Sequence, residues 1–457
     1  MKATNGRDFL LMNALRAMTV IGIVITVPGL GQAARNVTLS QALDLAATHS
    51  PVLKASRQEV KVADAERAIA GAAYYPKLEA SEAWTHTNKP SMVFGDLLNQ
   101  GRFTQADFDI TSLNNPGSLE NFRSVISLVQ PVYNGGREGI GVVVAEIGRA
   151  VAGEALENSG QRVFFTVTQA FYDLLLAKST FGIARETVQV AERDVKTIRS
   201  RYEGGTTVKS DLLQAEVRLA THREAVIRAE QSVRVAGIAL RHGIGLDEPV
   251  DATTVLSVSK GDIPNLHVTV GRALESRHDY RRLAAELEQA DTKIRLAKSA
   301  YLPTFNLQAS YEVNNTAPFS ENGSNNYVAL GVLTMNLFNG FSDAAGVRKA
   351  KAQAERIRNL LAAKRRSIEV EAAEAYYGWR AARERLNVTE RVVTQAKESL
   401  RIIRNRYEAG IAPVIDLLTG ELVLNEAKQN RIRAIYDERI GQARLAFVTG
   451  QLNQAPQ

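Results

Sequence analysis

The sequence predicts a mainly α-helical fold with a minor β component, organised as two tandem copies of a long helical hairpin. Three observations carry this. The twelve prolines leave two wide gaps, Pro131 to Pro249 and Pro318 to Pro413, filled with Ala, Glu, Arg, Leu and Val. A proline inside a helix removes a hydrogen bond and clashes with the preceding turn, so such gaps are helical tracts. The tracts match at a constant offset of 205 residues: RYEGGTTVKSDLLQAE (Arg201 to Glu216) aligns with RYEAGIAPVIDLLTGE (Arg406 to Glu421), Phe171-Tyr172 with Tyr376-Tyr377, and Asn134-Gly135 with Asn339-Gly340. Ahead of each tract, hydrophobicity alternates with the period of two that marks strands.

Taken in order, Lys2 and Arg7 precede an apolar run from Ala17 to Val27, then Pro28, Gly29 and small residues. This reads as a secretory signal peptide over residues 1–33, cleaved near Ala33 or Ala34. The run is shorter than the ~20 residues a spanning helix needs, and no second one of that length follows Val37. The mature chain has no transmembrane helix by this reading, and strands are the element left that could cross a membrane.

The first repeat covers 34–250 and begins with a helix. From Lys77 to His86, Leu78, Ala80 and Trp84 face one way and Lys77, Glu79, Ser81 and Thr85 the other, with Glu82 the exception. A second strand is expected from Phe122 to Val132. The offset between the early anchors Tyr75-Pro76 and Leu302-Pro303 is 227, so this half carries about 22 extra residues. They fall in the loop from Asn88 to Asn121, where Pro90, Gly95, Gly101, Pro116 and Gly117 indicate surface structure. Next comes a heptad seam, Phe181, Ala184, Val188, Ala191, Val195, Ile198 and Tyr202. After Gly204-Gly205 a returning seam runs from Leu212 to Leu240, which makes a hairpin with its tip at 201–211.

A linker spans 251–267, and the second repeat, 268–452, repeats the order, followed by a tail at 453–457. Its strands are read at Thr304 to Val313 and Tyr327 to Phe338, and its seam at Leu386, Thr389, Val393, Ala396, Leu400, Ile403 and Tyr407, with a tip at 406–416. Helices of ~60 residues are about 90 Å long and offer no compact layer for four strands to cover. Four strands also cannot close a barrel, since the smallest spanning barrels have about eight. Several chains must contribute if the apolar faces meet lipid.

Composition narrows the function. With no cysteine among 457 residues, disulfide frameworks, thiolate nucleophiles, Cys-ligated zinc and a lipidated N-terminal cysteine are excluded. The net charge of +7 falls to +5 when Lys2, Arg7, Arg16 and Asp8 leave with the signal, and the remaining charges are scattered, which argues against nucleic acid as a partner. There is no GxxxxGK[ST] loop, no GxGxxG and no HExxH pair. His222 falls on the returning seam and reads as a packing residue. No catalytic residue, metal or cofactor is expected, and the chain does not read as an enzyme.

The tandem halves, two short strands per half, long hairpins and the RYxxG tip followed by an aspartate and two leucines resemble the TolC outer-membrane efflux family over essentially the whole mature chain. The tip elements RYEGG with Ser210-Asp211-Leu212 and RYEAG with Asp416-Leu417 carry the resemblance in combination. It implies a homotrimer, a twelve-stranded barrel in outer-membrane lipid to which each chain gives four strands, and a trimeric α-helical barrel crossing the periplasm. It further implies passive conduction, with a periplasmic adaptor and an inner-membrane pump or ABC exporter as partners.

The tips are the candidate sites. Read from the residues alone, Gly205 and Gly410 permit the sharp reversal of each hairpin, and Asp211 and Asp416 are placed to cap the returning helices. The resemblance implies more: Asp416 faces the pore at its periplasmic constriction, where three copies make an acidic ring, and Tyr407 bonds Asp211 across neighbouring hairpins to hold the tip shut. Tyr202 and Tyr407 also fit simple seam packing. The family's second tip aspartate is Thr419 here, and a basic residue some members carry is Ala412. Tip turn and adaptor docking are expected at Arg201, Tyr202, Gly205, Ser210, Arg406 and Gly410, with Glu203 and Glu408 nearby. The competing class is a periplasmic coiled-coil scaffold or adaptor held by an uncleaved N-terminal anchor, which usually has one hairpin flanked by compact β domains.

Overall fold

The computed structural model describes residues 34–259, 262–318 and 323–452; the expected signal peptide and the tail at 453–457 lie outside them. The chain opens with β1 (Arg35–Val37) and α1 (Leu39–His49), which starts with a capping box in which Thr38 and Gln41 each satisfy the other's backbone N–H. Pro51 at the first turn begins α2 (Pro51–Ala72), so the single opening helix read from the sequence is two. Then come β2 (Lys77–Thr87), α3 (Pro90–Asn99), α4 (Ile110–Asn114), β3 (Leu119–Asn134), α5 (Arg137–Glu203) and α6 (Lys209–Ile244). After β4 (Val250–Ala252) the plan repeats with α7 (Leu266–Ser276), α8 (His278–Lys298), β5 (Thr304–Asn315), β6 (Ser324–Thr334), α9 (Ser342–Glu408) and α10 (Val414–Val448).

Helices α5 and α9 each have 67 residues, about 100 Å at 1.5 Å per residue. α5 packs against α2, α6, α8 and α10, and α9 packs against α7, α8 and α10. Among the described residues no helix is long and apolar enough to cross a membrane.

The strands form one antiparallel sheet in the order β2-β3-β5-β6. Register places Leu78 opposite Leu128, Trp84 opposite Phe122, Ile126 opposite Tyr311, and Tyr311 opposite Tyr327. These and Ala80, Leu307 and Leu333 share one face, which the chain leaves bare: Leu78 is 72% exposed, Leu333 70% and Tyr327 84%. Glu82, the exception in the alternation, accepts a hydrogen bond from the Ser124 hydroxyl opposite it. The other face is more polar, with Arg123 3.5 Å from Glu312. β2 and β6 are edges with no partner strand among the described residues.

Two sequence expectations need correction here. The alternating run read from Tyr327 to Phe338 leaves the sheet after Thr334, because its partner β5 begins at Thr304, the last residue it pairs with, and Pro303 before it has no N–H to continue the ladder. The loop from Asn88 to Asn121 is not bare surface chain: α3, a 3₁₀ turn (Gln105–Phe108) and α4 fold around Phe103, which meets Phe94 and Phe108 edge to face at 5.1 and 5.0 Å.

The main core lies at mid-length, where Leu43, Phe171, Leu174, Leu240, Ile244, Val250 and Ile435 bring α1, α5, α6, β4 and α10 together. β1 pairs in parallel with β4, which ties the start of the chain to the linker. The linker is pinned again at fully buried Glu438, which accepts hydrogen bonds from Ser259 N (3.1 Å), Ser259 Oγ (2.6 Å) and Trp379 Nε1 (3.0 Å). Donors on every side make that buried carboxylate tolerable. This anchoring fixes both hairpins relative to each other and so sets where their tips meet.

Candidate functional site at the hairpin tips

Both tips close in the same way. The Gly205 N–H donates to Tyr202 O (3.0 Å) and the Thr206 N–H to Arg201 O (2.8 Å); Gly410 donates to Tyr407 O (3.0 Å) and Ile411 to Arg406 O (2.8 Å). These are Schellman closures with the left-handed residue at Gly205 (φ +70°) and Gly410 (φ +73°), a conformation a Cβ would strain. The returning helices are capped differently from the sequence expectation. Their N-caps are Val208 and Pro413, neither of which makes a side-chain cap, and Asp211 and Asp416 stand three residues later. In that first turn a carboxylate is favoured by the helix dipole.

The tips are joined through Arg201. Its guanidinium stacks over the Tyr407 ring, 4.5 Å from the centroid, while Nη1 donates to Tyr407 O (3.1 Å) and Nη2 to Glu408 O (3.2 Å). One cation thus meets a π face and the negative end of α9 together. Around it Val195, Ile198, Ala215, Tyr407, Val414, Leu417 and Leu418 form a single apolar cluster drawn from both hairpins.

Tyr407 is 5% exposed, and its hydroxyl has no hydrogen-bond partner among the described residues. Burial pushes its phenol above the usual range, against the pull of the Arg201 charge. Among the described residues the expected bond between Tyr407 and Asp211 is not made; the Asp211 carboxylate accepts the Thr207 hydroxyl at 2.7 Å, one turn away. Tyr202, the repeat mate of Tyr407, is 39% exposed. Asp416, Arg406 and Ser210 are also exposed.

Sequence reading missed a charged cleft just behind the tips, a cavity of about 210 Å³ lined by Asp194, Arg218, His222, Arg404, Glu421 and their neighbours. Arg404 pairs with Glu421 at 2.6 Å, and the repeat mates Arg199 and Glu216 pair at the same distance. The constant offset would have found both pairs. It would not have found Asp194, which reaches the second pair across the hairpin interface.

Two 67-residue helices turning at matched tips, under a four-strand sheet with a bare apolar face, define an outer-membrane efflux channel fold. The family model described as "Outer membrane efflux protein" matches residues 42–246 and 269–451, and the chain belongs to that family, the TolC family. Protein CyaE of Bordetella pertussis is 25% identical over 92% of this chain and 85% of its own length. The alkaline protease secretion protein AprF of Pseudomonas aeruginosa is 23% identical over 90% and 84%. The crystal structure of the Campylobacter jejuni CmeC outer membrane channel superposes with a TM-score of 0.77 at 15% identity, covering 92% of this chain and 87% of that one. The protein is accordingly placed in the outer membrane, with its helical part in the periplasm.

Proposed function

We propose that three copies of this chain close into a passive exit duct, with the sheet in outer-membrane lipid and the periplasmic end gated by the hairpin tips. The observation that carries this is a mismatch between repeat mates. Leu418, Ile432, Ile440 and Ile183 are buried or partly buried where α10 meets α5 within the chain. Their mates in the other repeat, Leu213, Ile227, Val235 and Val388, are 50%, 68%, 58% and 60% exposed. An apolar stripe on α6 and another on α9 therefore lack the contact that their mates have, and α9 of one chain against α6 of the next supplies it. Open edges at β2 and β6 support the same closure, because each chain adds four strands and paired edges leave no exposed ladder. Three chains give the twelve strands of the family's barrel.

In such a ring Arg406 meets Tyr202 of the next copy as Arg201 meets Tyr407 within one, so six tips are tied around the axis. Asp416, exposed beside them, supplies one carboxylate per chain to an acidic constriction that favours cations. Energy comes from partners, a periplasmic adaptor and an inner-membrane pump or ABC exporter; names of relatives such as the alkaline protease secretion protein support secretion as well as efflux. The chain itself acts as a conduit and not as an enzyme. Tandem hairpins argue against the single-hairpin scaffold or adaptor. Membrane fractionation with unheated and boiled gel migration tests the reading: an outer-membrane band near three times the protomer mass that collapses on boiling is expected, and a monomer in the soluble or inner-membrane fraction would overturn it.

A further inference from the structure

The cleft behind the tips contains two acids facing each other across the interface between the hairpins. Asp194 comes from α5 and Glu421 from α10; both line the same cavity, and each carboxyl acts on the other as a hydrogen-bonding neighbour. One oxygen of Asp194 is fully buried, and among the described residues no donor reaches it. Two carboxylates this close cannot both ionise cheaply, whereas one proton between them makes a hydrogen bond and leaves a single negative charge. Arg404 of α9, 2.6 Å from Glu421, matches that one charge.

The other cations near the cleft are Arg218 of α6, which lines it and donates to Leu418 O, Lys428 of α10, which is paired with Glu186 of α5 at 2.9 Å, and Arg193 of α5, which is exposed and favours the Asp194 charge from there; among the described residues Arg404 is the cation ion-paired with the two acids. Tyr407 of α9 is a neutral phenol that burial pushes further above its usual range. His222 of α6 is kept below its usual range by burial and by the Arg218 charge. The repeat mates of the two acids are Ser399 and Glu216, so the pair exists in only one of the two kinds of groove.

We propose that Asp194 and Glu421 are a proton-operated latch between the two hairpins of each chain. With one proton shared, the acids bond α5 to α10 behind the tip; loss of that proton leaves two negative charges in the cleft and loosens the hairpins. Burial and the facing Asp194 push Glu421 up to about 7, and Asp194 is raised as well. The packed state therefore binds more protons than a separated one from the ordinary carboxylate range up to about neutrality. It is fully favoured at the acid end and loses that advantage as pH rises through the raised value.

Limited trypsin cleavage at the tips of the purified full chain tests this without requiring conduction. The ratio of wild-type to variant cleavage rate at each pH cancels the protease's own pH dependence. For Glu421→Gln and, independently, Asp194→Asn, the ratio is expected to rise on the order of tenfold between about pH 6 and pH 8, and His222→Gln should keep the wild-type profile. A ratio that stays constant across that range for both acid variants, or a pH step that disappears in His222→Gln, would overturn the latch.

Discussion

The Arg201 guanidinium lies over the Tyr407 ring and donates to the Tyr407 carbonyl, so one residue of the first repeat holds both the side chain and the backbone at the end of the second repeat's long helix. What Arg201 uses is the ring and the carbonyl; among the described residues the hydroxyl has no hydrogen-bond partner. Tyr407→Phe should then change stability by under about 0.5 kcal/mol, whereas Tyr407→Ala, which empties a buried aromatic site, should cost about 3 kcal/mol. Denaturant unfolding of the helical part followed by circular dichroism separates the two; equal losses would mean that the hydroxyl matters.

Ring closure makes a prediction about position. Leu213 and Leu418 are repeat mates, yet Leu213 is half exposed and Leu418 is 4% exposed. Leu213→Glu should give a folded chain that fails to form trimers, while Leu418→Glu should impair folding of the chain itself. Light scattering coupled to gel filtration reads the first, and helical content reads the second. A Leu213→Glu protein that remains fully trimeric would place the interface elsewhere.

Acid should weaken the junction between α8 and α9. Asp279 is buried, which disfavours its charge, but Arg277 (2.7 Å) and Lys364 (2.7 Å) outweigh that and hold its carboxyl well below the usual range; Glu371, which shares both cations, is lowered too. A lowered carboxyl stabilises the fold above its unfolded value near pH 4 and loses that contribution as pH falls through the folded value. Asp279→Asn should destabilise by about 3 kcal/mol at neutral pH, by leaving Arg277 underpaired, and the difference from wild type should shrink on acidification. Thermal melts across the acid range check the convergence; a gap that persists at the lowest pH would contradict it.

The hairpins, their tips and the two-copy plan were legible because each repeats a simple physical signal: Pro-free tracts, heptad steps, a glycine at each reversal, and a constant offset. Strand ends were less so, since Met335 to Phe338 keep the alternation that marked Tyr327 to Thr334 but lack a partner strand, and pairing is a property of two segments. The same limit hid Asp194 beside Glu421 and the Tyr407 ring beneath Arg201. Each acts across the interface between hairpins, and heptad periodicity within one helix says which residues face inward but not which residue of another helix they meet. Asp211 and Asp416 do not cap their helices, because hairpin geometry sets the helix start three residues earlier, at Val208 and Pro413.

The most direct test of a tip-gated duct is single-channel recording of purified protein in planar bilayers, with wild type beside Arg201→Ala. Small, discrete, cation-selective steps are expected for wild type and several-fold larger steps for the variant, because the tie between neighbouring tips is gone. No steps in either protein, or equal conductance in both, would contradict the account.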